Sequence, residues 1–252
     1  MGTEPTTEFH QGEGGAQLAV HRLGTGRPVL LLHGLFSSAE VNWIKFGTAG
    51  KLAAAGFEAI MPDLRAHGQS AAPHDPAAYP PDVLVKDALA LVRALNLTDY
   101  DLGGFSLGSR TAVRAVLAGL TPRRLVLGGM GLAGLSGWTR RSAHFINAID
   151  RFGTIPRTDP AFLAQAFMKT QKTDRPATRL LLQSVDDTPA EALTAITMPT
   201  LVVCGAEDHD NGSAIELANA LPDARYVEVP GNHMSSVTKP EFGEAIVEFL
   251  KG

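Results

Sequence analysis

Three short runs constrain this chain more than anything else in it: Pro28-Val29-Leu30-Leu31-Leu32, Leu125-Val126-Leu127 and Leu201-Val202-Val203-Cys204. Each is too short for a helix and apolar at consecutive positions. Side chains of a strand alternate between two faces, so such a run is buried on both. That is the pattern of a sheet with helices above and below it. Between the runs lie stretches with helical spacing. Residues 82–95 place Val83, Leu84, Leu91, Val92 and Leu95 apart from Lys86, Asp87 and Arg93, and residues 110–118 carry small and apolar residues on one face. The alternation predicts an α/β fold: one mostly parallel sheet of about eight strands between layers of helices. In such sheets ligands bind beyond the carboxyl ends of the strands.

In chain order, residues 1–8 carry acids and no apolar segment and are expected to form a loose tail. Further strands are expected at 16–23, 57–62, 100–105, 198–205 and 224–229, with a Pro- and Ala-rich surface loop over 71–81. From 131 to 196 the rhythm changes. No buried strand is apparent, only helical candidates at 144–150, 160–170 and 178–184, broken by Gly153, Pro156, Pro160 and Pro176. This reads as a helical insertion after a strand. Helices over 215–221 and 240–250 complete the pattern.

Composition excludes several classes. A formal charge of −4, with Arg123-Arg124 and Arg140-Arg141 as short isolated basic pairs, gives no footprint for nucleic acid. No apolar run approaches the ~20 residues needed to span a bilayer. The N-terminus lacks the apolar core of a signal peptide, so a cytoplasmic protein is expected. The single cysteine, Cys204, excludes an internal disulfide and a cysteine-based zinc site and reads as a buried structural thiol. No metal and no cofactor is implied: there is no phosphate-binding loop, no Gly-x-Gly-x-x-Gly after a first strand and no His-x-x-x-His.

The chemistry concentrates at strand ends. Gly104-Phe105-Ser106-Leu107-Gly108 stands between a strand and a helix, where a sharp turn would hold the Ser106 hydroxyl above the sheet edge and side chains at 104 or 108 would collide with neighbouring elements. A serine hydroxyl needs a base, and the base an anion to fix its tautomer. His233, after the last strand and beside Gly231, is the candidate base. His33 is expected to hydrogen-bond within its own loop. Asp208, after the strand ending at Gly205, is the candidate acid, with Asp210 and Glu207 as rivals. Negative charge on a tetrahedral intermediate calls for backbone donors. Leu107 is one candidate and Leu35 the other, with Phe36 as fallback.

Together His33-Gly34, the stretch Asp63-Leu64-Arg65-Ala66-His67-Gly68-Gln69-Ser70, the Ser106 pentapeptide, Gly205-Ala206-Glu207-Asp208 and Gly231-Asn232-His233 resemble the α/β-hydrolase superfamily over essentially the whole chain. Ala66 stands where that family usually has glycine. The resemblance implies a hydrolase core over 1–130 and 197–252, and a small helical cap over 131–196. Trp138, Phe145, Phe152, Phe162 and Phe167 of that cap would either face substrate or form its own core. Substrate contacts are expected from Phe36, Met130, Trp138 and Met234. Dehalogenases and epoxide hydrolases of this superfamily place an aspartate at the position of Ser106. Carbon–carbon bond hydrolases often carry tryptophan where Met234 follows His233. The implied function is a serine hydrolase acting on a small ester or lactone, with no nucleic-acid or membrane partner. The alternatives are a carbon–carbon bond hydrolase, or a receptor of the same fold with weak turnover.

Overall fold

Residues 4–252 are described by a computed structural model. Eight strands form one sheet: β1 (Thr6–Gln11), β2 (Gln17–Gly24), β3 (Arg27–Leu32), β4 (Phe57–Pro62), β5 (Asp101–Phe105), β6 (Leu125–Gly128), β7 (Thr200–Gly205) and β8 (Ala224–Val229). Their order across the sheet is β1-β2-β4-β3-β5-β6-β7-β8. The β1–β2 and β2–β4 pairs are antiparallel, and every pair from β4 to β8 is parallel.

The doubly apolar runs are explained by two separate cores. Leu30 and Leu32 of β3 and Leu125 and Leu127 of β6 pack on one face with Val83, Leu84, Leu91, Val113 and Val116. These come from the helices α2 (Val83–Ala94) and α3 (Leu107–Leu117). Val29, Leu31, Val126, Leu201 and Val203 point the other way, onto Leu52, Phe242, Ile246 and Phe249. Those belong to α1 (Thr48–Ala54) and α9 (Pro240–Lys251), whose apolar positions recur at helical spacing. Burying both faces fixes the register of the central strands, because a slip of one residue would exchange the two sets.

The expectation of a loose tail over 1–8 is corrected at residues 6–8, while residues 1–3 lie outside the described residues. Thr6, Thr7 and Glu8 belong to β1, in register with Arg22, His21 and Val20 of β2. The strand lies at the sheet edge and is held by backbone pairing, with Phe9 half exposed. That is why it leaves no apolar signature.

Between β6 and β7 the described residues form four α-helices, α4 (Leu132–Ser136), α5 (Trp138–Asp150), α6 (Phe162–Thr170) and α7 (Arg175–Ser184), then a short 3-10 helix (Ala190–Ala195), and no strand. Asp174 caps α7 by accepting from the Ala177 amide at 3.0 Å, and Pro176 occupies its first turn. Leu135, Trp138, Ile149, Met168, Leu181 and Leu182 join the core shared by α2 and α3. Arg110 of α3 ties the segment down at both ends. Its guanidinium donates to the carbonyls of Gly134 at 2.5 Å, Leu135 at 2.6 Å and Asp186 at 2.7 Å, and to the Asp187 carboxylate at 3.0 Å. The last helix before β8 is α8 (Ala214–Ala220), capped by the Ser213 hydroxyl.

Candidate active site

Ser106 sits where β5 turns into α3, with φ 52° and ψ −112°. A non-glycine residue there is strained, and the surroundings must over-determine it. They do. The Ser106 amide donates to the Gly128 carbonyl at 2.9 Å, and the Arg110 amide donates to the Ser106 carbonyl at 3.0 Å. The flanking glycines are compulsory on space alone. A Cβ at 104 would lie 2.2 Å from the Gly108 carbonyl carbon, and one at 108 would lie 2.0 Å from the Leu32 carbonyl oxygen.

The Ser106 Oγ lies 3.0 Å from His233 Nε2, and His233 Nδ1 lies 2.8 Å from Asp208 Oδ2. The three side chains therefore form one hydrogen-bonded relay, although Ser106 and His233 are 127 residues apart in sequence. His233 follows β8 and its ring packs on Phe105, with centroids 5.1 Å apart. Asp208 follows β7. Its amide closes a turn onto the Gly205 carbonyl at 2.9 Å and its carboxylate is buried. Oδ1 accepts from the Asp210 amide at 3.2 Å, and Oδ2 also accepts from the Cys204 thiol at 3.4 Å. Burial alone would raise the Asp208 pKa. The hydrogen bond from His233, its proximity and the Asp210 amide outweigh that and hold it below the ordinary carboxylate value. Burial and the neighbouring Asp208 push the Cys204 thiol up, so it stays a protonated donor.

The rivals are placed elsewhere. Asp210 and Glu207 are exposed, and His233 contacts neither by hydrogen bond. The Asp210 carbonyl instead accepts from Arg141.

Leu35 and Leu107 both line the cavity around Ser106. Among the described residues neither amide has a hydrogen-bond acceptor. Leu107 opens α3, where the first amides have no partner within the helix. The fallback at Phe36 is closed: its amide donates to His67 Nε2 at 3.0 Å. His67 Nδ1 in turn donates to the Arg65 carbonyl at 3.0 Å. His33 does bond within its loop, donating from Nδ1 to the Gly34 carbonyl at 2.7 Å, while its Nε2 accepts from the Leu64 amide at 2.9 Å. Each imidazole thus has one donor and one acceptor engaged, which requires the neutral form. Burial lowers both pKa values, that of His67 to about 3. Below them, Asp63 accepts from the Ala39 and Gln69 amides, each at 2.8 Å, and from His21 at 3.2 Å. Burial opposes its ionisation, yet these donors hold its pKa at about 2.

The cavity over Ser106 measures about 970 Å³. Phe36, Met130, Trp138 and Met234 all line it, as do Phe145 and Phe167. Phe152 and Phe162 do not. Phe152 lies 4.0 Å beneath the Arg175 guanidinium, and Phe162 packs on the main core. Three residues to which the sequence pattern assigned no site role belong to the candidate site. Cys204 touches the relay acid, Asn42 Oδ1 accepts from the Gly34 amide at 2.9 Å, and Arg141 lines the cavity. Among the described residues no cluster of three or more His, Cys, Asp or Glu side chains could hold a metal ion. No helix among them is long and apolar enough to cross a membrane.

A hydroxyl held 3.0 Å from an imidazole that is itself oriented by a buried carboxylate can pass its proton to that ring and act as a nucleophile. The comparisons with known proteins agree with the fold. An epoxide hydrolase from Caballeronia sordidicola is 34% identical over 110 residues, covering 44% of this chain and 32% of that protein. A 2-hydroxymuconate semialdehyde hydrolase from Pseudomonas sp. (strain CF600) is 33% identical over 123 residues, 48% of this chain and 42% of that protein. The chain thus spans less than half the length of these curated relatives. An esterase from Exiguobacterium antarcticum superposes with a TM-score of 0.79 at 21% identity, covering 98% of this chain and all of the other, a likeness of fold. The family pattern itself matches residues 29–243, from the third strand into the last helix. On that extent of match the chain belongs to the alpha/beta hydrolase family.

Proposed function

We propose that the protein is a serine hydrolase that cleaves a carboxylic ester or lactone through an acyl-enzyme on Ser106. The observation that carries this reading is the 3.0 Å approach of Ser106 Oγ to His233 Nε2 on a backbone turn that fixes the serine in place. Ser106 Oγ attacks the carbonyl carbon while His233 Nε2 takes its proton. Asp208 keeps the remaining ring proton on Nδ1 and stabilises the imidazolium. The amides of Leu35 and Leu107 donate to the oxyanion. Collapse of the intermediate passes the proton from His233 to the leaving oxygen. Water then gives a proton to His233, its oxygen attacks the acyl carbon, and the carboxylic product leaves as Ser106 regains its hydrogen. The helices over 131–196 act as a cap that roofs this site, Phe36, Met130, Trp138 and Met234 supply apolar contacts, and no cofactor enters the scheme.

Epoxide opening by this fold needs a carboxylate nucleophile that forms an alkyl ester, and Ser106 is not one. Carbon–carbon bond cleavage, the chemistry of the ring-cleavage-product hydrolases of this superfamily, is a second reading. The same serine and base would serve there, but Met234 follows His233 in place of tryptophan.

Incubation with a fluorophosphonate followed by mass analysis tests the reading. One adduct on Ser106, and loss of 4-nitrophenyl ester hydrolysis in Ser106→Ala, are expected. No adduct, or unchanged hydrolysis, overturns it. Ligand-induced thermal shifts without turnover would favour a receptor.

A further inference from the structure

The chain is net acidic, with a formal charge of −4, but the cavity over Ser106 has the opposite sign. Its charged lining consists of Lys45, Arg110, Arg140 and Arg141 against one acid, Asp210. Arg110 is accounted for, since it holds three carbonyls and the Asp187 carboxylate. The other three cations lack a carboxylate partner, although Lys45 stands over the Phe46 ring. Among the described residues none has a carboxylate within 4.0 Å, whereas Arg114, Arg151 and Arg179 each have at least one.

Arg141 is the most informative of the three. It lies on α5, half-buried, and one arm of its guanidinium is fixed by the Asp210 carbonyl. Its guanidinium carbon stands 5.5 Å from the centre of the Phe145 ring, one helical turn along. Burial lowers the Arg141 pKa, opposed in part by the nearby charges of Asp210 and Asp208, neither of which pairs with it directly. A side chain held this way keeps its remaining donors available to a planar anion. The other walls are apolar. Phe46, Leu163 and Met234 line the cavity while staying 36%, 72% and 48% exposed, so apolar groups stand at its mouth.

We propose that the substrate is an ester or lactone that bears a free carboxylate on an apolar chain or ring, and that this carboxylate pairs with Arg141 while Arg140 and Lys45 add to the attraction. This rests on the serine hydrolase reading for the fate of the ester, but not for recognition of the anion. A cavity of about 970 Å³ accommodates such a molecule of medium chain length.

Two probes of equal length test it: monomethyl suberate, which carries one carboxylate, and neutral dimethyl suberate. Binding is measured by calorimetry on Ser106→Ala, where neither ester is consumed. About tenfold tighter binding of the monoanion is expected, in line with a charge-assisted hydrogen bond. The preference should fall towards unity in Ser106→Ala carrying Arg141→Gln and survive in part with Arg141→Lys. Equal binding of the two esters to Ser106→Ala overturns the inference without any change at Arg141. So does an Arg141→Gln protein that loses both ligands equally, since the side chain would then support the fold and not read charge. Fluorophosphonate labelling of Ser106 is scored separately. Selective binding of the monoanion with no labelling overturns the hydrolase reading and leaves anion recognition standing. Labelling without selectivity does the reverse.

Discussion

Gly108 lies against the Leu32 carbonyl oxygen so closely that a Cβ at 108 would stand 2.0 Å from it. The contact is backbone on both sides, so no rotamer change relieves it. Gly108→Ala and Gly104→Ala are expected to destabilise the protein by several kcal/mol, well above the about 1 kcal/mol of an ordinary point change. Gly50, in α1, has open space where a Cβ would stand, with no neighbouring atom within 4 Å, and alanine there should stabilise by roughly 0.5–1 kcal/mol. Urea denaturation of the three variants checks both signs. Near-wild-type stability of Gly108→Ala would contradict the packing argument.

The relay makes a sharp distinction between two aspartates two residues apart. Asp208→Asn keeps the shape but removes the charge that fixes the His233 tautomer, and kcat should fall roughly ten-thousand-fold. Asp210→Asn alters an exposed, cavity-lining side chain with no bond to His233 and is expected to leave kcat on a neutral ester close to that of the parent. Steady-state hydrolysis of a 4-nitrophenyl ester compares them. Equal losses would move the acid's role away from Asp208.

Arg110 holds the helical segment to α3 through four acceptors. Arg110→Met would take the donor from the Gly134 carbonyl, while Leu135 keeps the Thr188 amide and Asp187 the Trp138 amide, at a cost of about 1–3 kcal/mol. Native-state proteolysis should then cut within 131–196 before the sheet unfolds. Cleavage sites unchanged from wild type would show that the segment is anchored without Arg110.

Acid stability follows from the buried histidines. His67 has a folded pKa of about 3 against an ordinary 6.5, and His33 is lowered in the same direction. Between those values the unfolded chain binds the proton and the folded one does not. The His67 contribution is therefore complete above pH 6.5 and declines as pH falls towards 3, by about 1.4 kcal/mol per pH unit, and His33 adds a loss of the same sign. Asp63, held at about 2 against an ordinary 3.8, adds its loss only below pH 3.8. The melting temperature should drop steadily between pH 6.5 and 4, and less steeply in His67→Asn. A flat profile over that range would mean that the two rings already carry charge in the folded protein.

Much of this was legible in the sequence because burial on two faces writes itself into consecutive apolar residues, as at Val29 to Leu32. Ser106 and His233 were legible through the glycines that their turns demand. The β1 strand was not, because an edge strand held by backbone pairing needs no apolar pattern, and Thr6-Thr7-Glu8 reads as tail. The choice of Asp208 over Asp210 rests on a turn closed by the Asp208 amide onto Gly205, which composition does not encode. The closing of the Phe36 amide by His67 spans 31 residues and has no local signal. Arg110 was silent for a similar reason: three of its four acceptors are backbone carbonyls, and any residue supplies those.

The two sides of the cavity differ in how they tolerate mutation. Around Ser106 the glycines at 104 and 108 press against backbone, so that side admits almost no variation. The opposite wall is built from side chains of α5 and α6 whose helices are fastened elsewhere, by Arg110 and by the core beneath them. A saturation library should therefore separate into a lethal sheet edge and a permissive roof. Substrate range can drift through positions such as Arg141, Phe145 and Leu163 while the strand ends below remain unchanged.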